Sequence, residues 1–159
     1  MRCPMPARAS YRDLLRDLLG RTVTVRGAVD QQLRPQRPSY LAAYRFDDGE
    51  PAAIVVADLS LAAAMAASIA MLPPVETHAR VEEAGELDTE LFESLHEVVN
   101  VAAKLMNSPM TPHVVLREVV RVPGDVAHDL AAIAASPVQR QDWQIAIDGY
   151  GEGVLTLLG

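Results

Sequence analysis

Apolar residues recur at helical spacing between residues 8 and 19. Tyr11, Leu14, Leu15, Leu18 and Leu19 share one side of the wheel, and Gly20 closes the segment. The period then drops to two. In RTVTVRG, Val23 and Val25 alternate with polar residues and predict a strand. The next stretch, DQQLRPQRPS, has two prolines and no period and reads as a loop. Two apolar runs, YLAAYRF and AAIVVAD, flank DDGEP, and an Asp-Gly pair between such runs predicts a hairpin. The Ala-rich run LSLAAAMAASIAML predicts a buried helix, capped by Asp58 or Ser60 and stopped before Pro73 and Pro74. At 14 residues it is too short to span a bilayer.

The polar stretch LPPVETHARVEEAGEL reads as a connector at the midpoint of the fold. The longest helix follows, over about residues 88 to 106, with Asp88 as its N-cap and Glu90 favourably placed in the first turn. Asn107, Ser108 and Pro109 end it. HVVLREVVRV predicts a strand stopped by Pro123 and Gly124, and DVAHDLAAIAAS a short helix with Asp125 as cap. WQIAI and GVLTLL predict a second hairpin around DGYGEG, where Gly149, Gly151 and Gly153 are explained by turn geometry. Each half opens on a helix and then supplies three strands. No residue-level repeat accompanies this order, so duplication is visible in topology alone. The expected class is α+β: a six-stranded, largely antiparallel sheet with long helices packed on one side, in one domain over residues 1–159.

Composition narrows the function. Half of the 159 residues are hydrophobic, enough for one domain with a proper core. The formal net charge of −7 argues against a nucleic-acid grip, which needs clustered Lys and Arg. The single cysteine, Cys3, leaves no internal disulfide framework. A reducing cytosol fits, and the start, MRCPMPARAS, lacks the apolar core of a signal peptide. A cytoplasmic chain without membrane insertion is expected.

Candidate chemistry concentrates in the long helix. With Glu97 at the centre of one face, Glu90, Glu93, Ser94, Asn100, Val101 and Lys104 fall within about 60° of it at 100° per residue. The opposite side carries Phe92, Leu95, Val99, Ala102 and Met106, flanked by Leu91 and Val98, and predicts the sheet-facing stripe. His96 falls on the other shoulder and is expected to pack its ring at the edge of the core. The Glu97 face therefore points to solvent, Val101 with it. Glu93 and Glu97 form an i, i+4 like-charge pair that costs roughly 0.2–0.5 kcal/mol. Asn100 costs about 0.6 kcal/mol relative to Ala inside a helix. Such small penalties are what a functional face shows when it overrules local propensity.

The segment LHEVVN begins like the zinc-protease motif H-E-x-x-H, but Asn100 stands where the second histidine belongs. Glu93 and His96 form one Glu-x-x-His, and a di-iron bundle needs two. The remaining histidines, His78, His113 and His128, have no such spacing. No metal site is expected. The chain also lacks a G-x-S-x-G elbow, a P-loop and a dinucleotide fingerprint.

A third reading of LHEVVN has Glu97-x-x-Asn100 as its working letters, with Pro123 following after residues 101 to 122 at the end of the next strand. This arrangement resembles the CheC/CheX/FliY family of chemotaxis phosphatases. Two helix-plus-three-strand halves also look like that family's pseudo-symmetric fold, from about residue 8 to the end. The resemblance implies that Glu97 and Asn100 project into the active site of a phosphorylated CheY-like receiver domain. It implies that Pro123 is structural, and that Glu93, Ser94, Val101 and Lys104 border the partner. The family usually has Asp or Ser four residues before the glutamate, where this chain has Glu93. The first helix has no Glu-x-x-Asn, so one site is implied, as in CheX-like members. The implied activity is hydrolysis of a receiver's phospho-aspartate, ending a chemotaxis or other two-component signal, with Asn100 holding an in-line water. No cofactor belongs to the chain; the receiver supplies Mg²⁺. A homodimer is expected by the same resemblance. Two rival readings stand beside it: a non-catalytic receiver-binding or flagellar-switch-like module, and a structural homodimer or scaffold.

Overall fold

The computed structural model describes residues 3–28 and 38–159. Most of the loop expected over 30–39 lies outside the described residues. The elements run α1 (Arg8–Leu19), β1 (Val23–Gly27), β2 (Ser39–Phe46), β3 (Pro51–Asp58), α2 (Leu59–Ile69), α3 (Pro74–Ala84), α4 (Thr89–Ala102), a 3₁₀ turn (Ala103–Met106), β4 (Val114–Val122), α5 (His128–Ala135), β5 (Arg140–Ile147) and β6 (Gly151–Leu158). The six strands form one antiparallel sheet in the order β1-β5-β6-β3-β2-β4. The α+β architecture is as the sequence predicts.

The order carries a hidden symmetry. Exchanging β1 with β4, β2 with β5 and β3 with β6 reverses the list without changing any neighbour. The two halves are thus related by a pseudo-twofold axis through the central β3–β6 pair, where Ile54 faces Leu158 and Ala57 faces Leu155.

Alternation along each strand sorts the core onto two faces. Tyr40, Ala42 and Tyr44 of β2, Val55 and Ala57 of β3, Trp143 and Ile145 of β5, and Leu155 and Leu157 of β6 join the buried faces of α1, α2 and α4. Helix α2 is the centre of this layer. Leu61 through Ser68 are all buried, and the run of alanines lets the helix pack against α1, α3, α4 and four strands at once. Asp58 caps it, its Oδ1 accepting from the Leu61 N–H at 2.9 Å.

The other face of the sheet is covered in part by α5. Leu130 packs there with Leu41, Ala43, Ile54, Val56 and Leu158. Arg45 of β2 clamps this helix through two bonds to Asp129, at 2.6 and 3.0 Å. The long helices lie together as expected, and the short one lies opposite.

Three local expectations are corrected. The polar connector contains helix α3: Pro74 starts it, Thr77 and Val81 give it a narrow buried stripe, and Gly85 ends it in the left-handed region. Helix α5 begins at His128 with Ala127 as its N-cap, and Asp125 makes no cap. Gly153 lies within β6, where a side-chain carbon would collide with Asp58 and Leu61. Close approach of the α2 N-terminus, not turn geometry, requires that glycine.

Candidate functional site

Helix α4 is fixed along its length by its apolar face and by two tyrosines of β2. Leu91, Leu95, Val98, Val99 and Ala102 are buried. At the N-terminus, Asp88 Oδ1 accepts from the Leu91 N–H at 2.9 Å, and Arg80 lies 3.3 Å from Asp88. Just before it, the Leu87 N–H donates to the Tyr40 hydroxyl at 2.8 Å, and the Tyr40 ring packs near Phe92. Four residues along the same face of β2, the hydroxyl of Tyr44 donates to the carbonyl of Val99. Burial pushes the Tyr44 phenol well above its ordinary pKa of 10.0, so the hydroxyl keeps its donor proton.

The opposite face is presented to solvent. Glu93, Glu97, Asn100 and Lys104 are exposed, and Ser94 is half-buried. Neither the Glu97 nor the Asn100 side chain has a hydrogen-bond or ion-pair partner among the described residues. Residues three apart on a helix hold their Cβ atoms about 5–6 Å from each other, so both side chains can enter one pocket together. Two positions, one on the shoulder and one on the Glu97 face, differ from expectation. His96 is exposed. Val101 is half-buried and packs against the core, because the chain beyond it turns down toward β4.

A cleft of about 380 Å³ opens where α4 runs into the 3₁₀ turn. Asn100, Val101 and Lys104 line one wall, and His113, Val115 and Leu116 the other. Glu93, Ser94 and Glu97 lie further up the helix and do not line it. Pro123 lies past the far end of β4, exposed and after a cis peptide bond. It is about 30 Å from the cleft end of that strand at 3.3 Å per residue. Its place is at the end of the strand, away from the exposed face of α4.

The site residues that sequence reasoning missed are Tyr44, Asn107 and His113. Asn107 Nδ2 donates to the carbonyls of Ala103 (3.0 Å) and Val114 (2.9 Å), while its Oδ1 accepts from the Val114 N–H (2.8 Å). His113 Nδ1 lies 3.1 Å from Asp47. Tyr44 was open to detection: a tyrosine inside an apolar strand needs a partner for its hydroxyl. Among the described residues, no group of three or more His, Cys, Asp or Glu is placed to hold a metal ion.

Among the described residues, the matching helix of the first half, α1, carries no such pair. Aligning buried Tyr11, Leu14 and Leu15 with Leu95, Val98 and Val99 sets Asp13 against Glu97 and Arg16 against Asn100. Asp13 and Arg16 lie 3.3 Å apart and pair with each other.

No protein-family model matches the chain, and no curated protein matches it. Solved structures do. The FliM middle domain from H. pylori aligns at TM-score 0.62 and 10% identity, covering 95% of this chain and 83% of that one. CheX from Borrelia burgdorferi, solved as a CheX–CheY–BeF₃–Mg²⁺ complex, aligns at TM-score 0.55 and 10% identity, covering 97% and 98%. FliY from Thermotoga maritima aligns at TM-score 0.52 and 14% identity, covering 96% and 83%. The chain has the CheC/CheX/FliY fold. At these identities the likeness is one of architecture, and in the CheC/CheX/FliY frame it spans nearly the whole chain. No helix among the described residues is long and apolar enough to cross a membrane.

Proposed function

We propose that this protein is a phosphatase for the phospho-aspartate of a CheY-like receiver domain. The observation that carries the reading is the pair Glu97 and Asn100, unpartnered among the described residues and exposed on one face of a helix whose other face is anchored in the core. The fold shared with CheX, solved in complex with CheY, supports the choice of partner.

An acyl phosphate on a receiver Asp is already activated, and the receiver brings the Mg²⁺ and the Lys that hold its oxygens. What remains is to hold a water in line with the scissile P–O bond. Phosphoryl transfer depends chiefly on such positioning and on charge stabilisation. A carboxamide is suited to this, because it accepts from the water, donates toward a phosphoryl oxygen and stays neutral beside concentrated negative charge. Glu97, one turn away, would pair with the receiver's Lys and set the docking register. Lys104, exposed beyond Asn100 on the same face, would meet negative charge at the rim of the partner's pocket; Glu93, Ser94 and Val101 complete the contact. The water's oxygen bonds to phosphorus as the bond to the aspartyl oxygen breaks. An aspartyl phosphate dianion and water give a carboxylate and dihydrogen phosphate, so charge and protons balance without a cofactor from this chain.

A docking module without turnover is the second reading. It is favoured by the higher TM-score to the FliM middle domain, 0.62, than to CheX, 0.55. Mixing the purified protein with a phosphorylated receiver separates the two. Faster phosphate release supports the phosphatase, and binding with no faster release supports the docking module.

A further inference from the structure

The helix that carries Asn100 changes its winding immediately after it. The Ala103 N–H bonds to the Asn100 carbonyl, three residues back, and residues 103–106 continue as a 3₁₀ turn. In an α-helix that N–H would have gone to Val99. The Val99 carbonyl is therefore free of its usual donor, and the buried Tyr44 hydroxyl takes it. The pattern repeats four residues on. The Asn107 N–H bonds to Lys104, leaving the Ala103 carbonyl to the Asn107 side-chain amide. Two carbonyls given up by the tightened winding are thus each held by a side chain. One holder stands on β2 and the other is tied to the start of β4. Asn100 and Lys104 are the residues directly after those two carbonyls.

We infer that Tyr44, with Asn107, is a positioning residue for Asn100: it fixes the turn from which the amide enters a partner's phosphorylated pocket. This rests on the phosphatase reading. A buried carbonyl that loses its donor seeks another. Without the Tyr44 hydroxyl, the donor that α winding would supply is the Ala103 N–H, and capturing it would rewind the turn toward α geometry. Winding at 100° instead of about 120° per residue would swing the Asn100 cleft out of register. Catalysis that depends on a held water is sensitive to such a shift, since a misplacement of about 1 Å costs on the order of a hundredfold in rate.

The test uses the full chain and a receiver phosphorylated by a small-molecule phosphodonor. Phosphate release is followed at saturating chain, and affinity is measured on the receiver loaded with BeF₃⁻ and Mg²⁺. Tyr44→Phe is compared with the parent, with Asn100→Ala and with Leu130→Ala, a core lesion on the opposite face of the sheet. The expected result for Tyr44→Phe is a release rate lowered about ten- to a hundredfold with affinity unchanged, while Leu130→Ala keeps the parent rate at temperatures where it is folded. If Tyr44→Phe releases phosphate at the parent rate while Asn100→Ala does not, the positioning role is overturned and the phosphatase reading stands. A parent chain that leaves receiver phosphate untouched overturns both. Should Tyr44→Phe fail to fold, Asn107→Ala carries the same comparison from the other holder, with the same two outcomes.

Discussion

At the scale of single residues, the proposed function turns on the difference between an amide and a carboxylate at position 100. Both have nearly the same shape, but only the amide is neutral. Asn100→Asp should leave the melting temperature close to the parent's and abolish accelerated loss of receiver phosphate, because a charge at that place repels the phosphoryl group. Phosphate release at the parent rate in this variant would remove Asn100 from the mechanism. Glu97→Ala should instead act on association. Affinity for a BeF₃⁻-loaded receiver should fall by about 1.5–3 kcal/mol if a charge-assisted bond to the receiver's Lys is lost. Titration by fluorescence or calorimetry checks this, and an unchanged affinity contradicts the pairing role. The exposure of Glu97 and Asn100 was legible in the sequence, since they sit opposite an unbroken apolar stripe. The surroundings of His96 and Val101 were not. A wheel gives direction but not depth, and burial is decided by neighbours from elsewhere: here the descent of the chain toward β4 half-covers Val101, while His96 stays exposed.

At the scale of elements, most boundaries follow from punctuation that can be read locally. Gly20 ends α1, Asp58 and Asp88 begin α2 and α4, and the Asp48-Gly49 pair turns the first hairpin. Helix α3 escaped because its stripe is only Thr77 and Val81, too narrow to give a period among charged residues. The role of Gly153 escaped because it depends on a contact across 95 residues, between β6 and the Asp58 cap, whose Oδ2 also accepts from the Val154 N–H at 3.0 Å. That contact makes a prediction. Gly153→Ala should destabilise the protein by about 1–3 kcal/mol through overpacking, measured by chemical denaturation. A variant as stable as the parent would mean that α2 can draw back from β6 at no cost. The tightening of α4 into a 3₁₀ turn was equally illegible. Nothing in VAAKLM disfavours α-helix, and the change is stabilised by side-chain donors, one from β2 and one from the segment leading into β4.

At the scale of the whole molecule, the sheet is built twice from the same order of helix and three strands, and of the two opening helices α4 carries the surface proposed to meet a phosphorylated partner. The doubling was readable in the order of elements before any contact was known. The sheet order was not, because pairing β1 with β5 and β2 with β4 joins segments more than 65 residues apart. The difference between the two opening helices is local. Where α4 displays a carboxylate and an amide with no partners among the described residues, α1 displays Asp13 and Arg16, which satisfy each other. A net charge of −7 also frames the proposed encounter: an acidic chain approaching a phosphorylated site would rely on a neutral amide and one exposed lysine at the point of contact. The most direct measurement is therefore phosphate release from a panel of phosphorylated receiver domains, with the parent chain and with Asn100→Ala. The phosphatase reading predicts that at least one receiver loses its phosphate faster with the parent and at its intrinsic rate with the variant. Equal rates with parent, variant and no added protein, for every receiver that binds the chain, would contradict it.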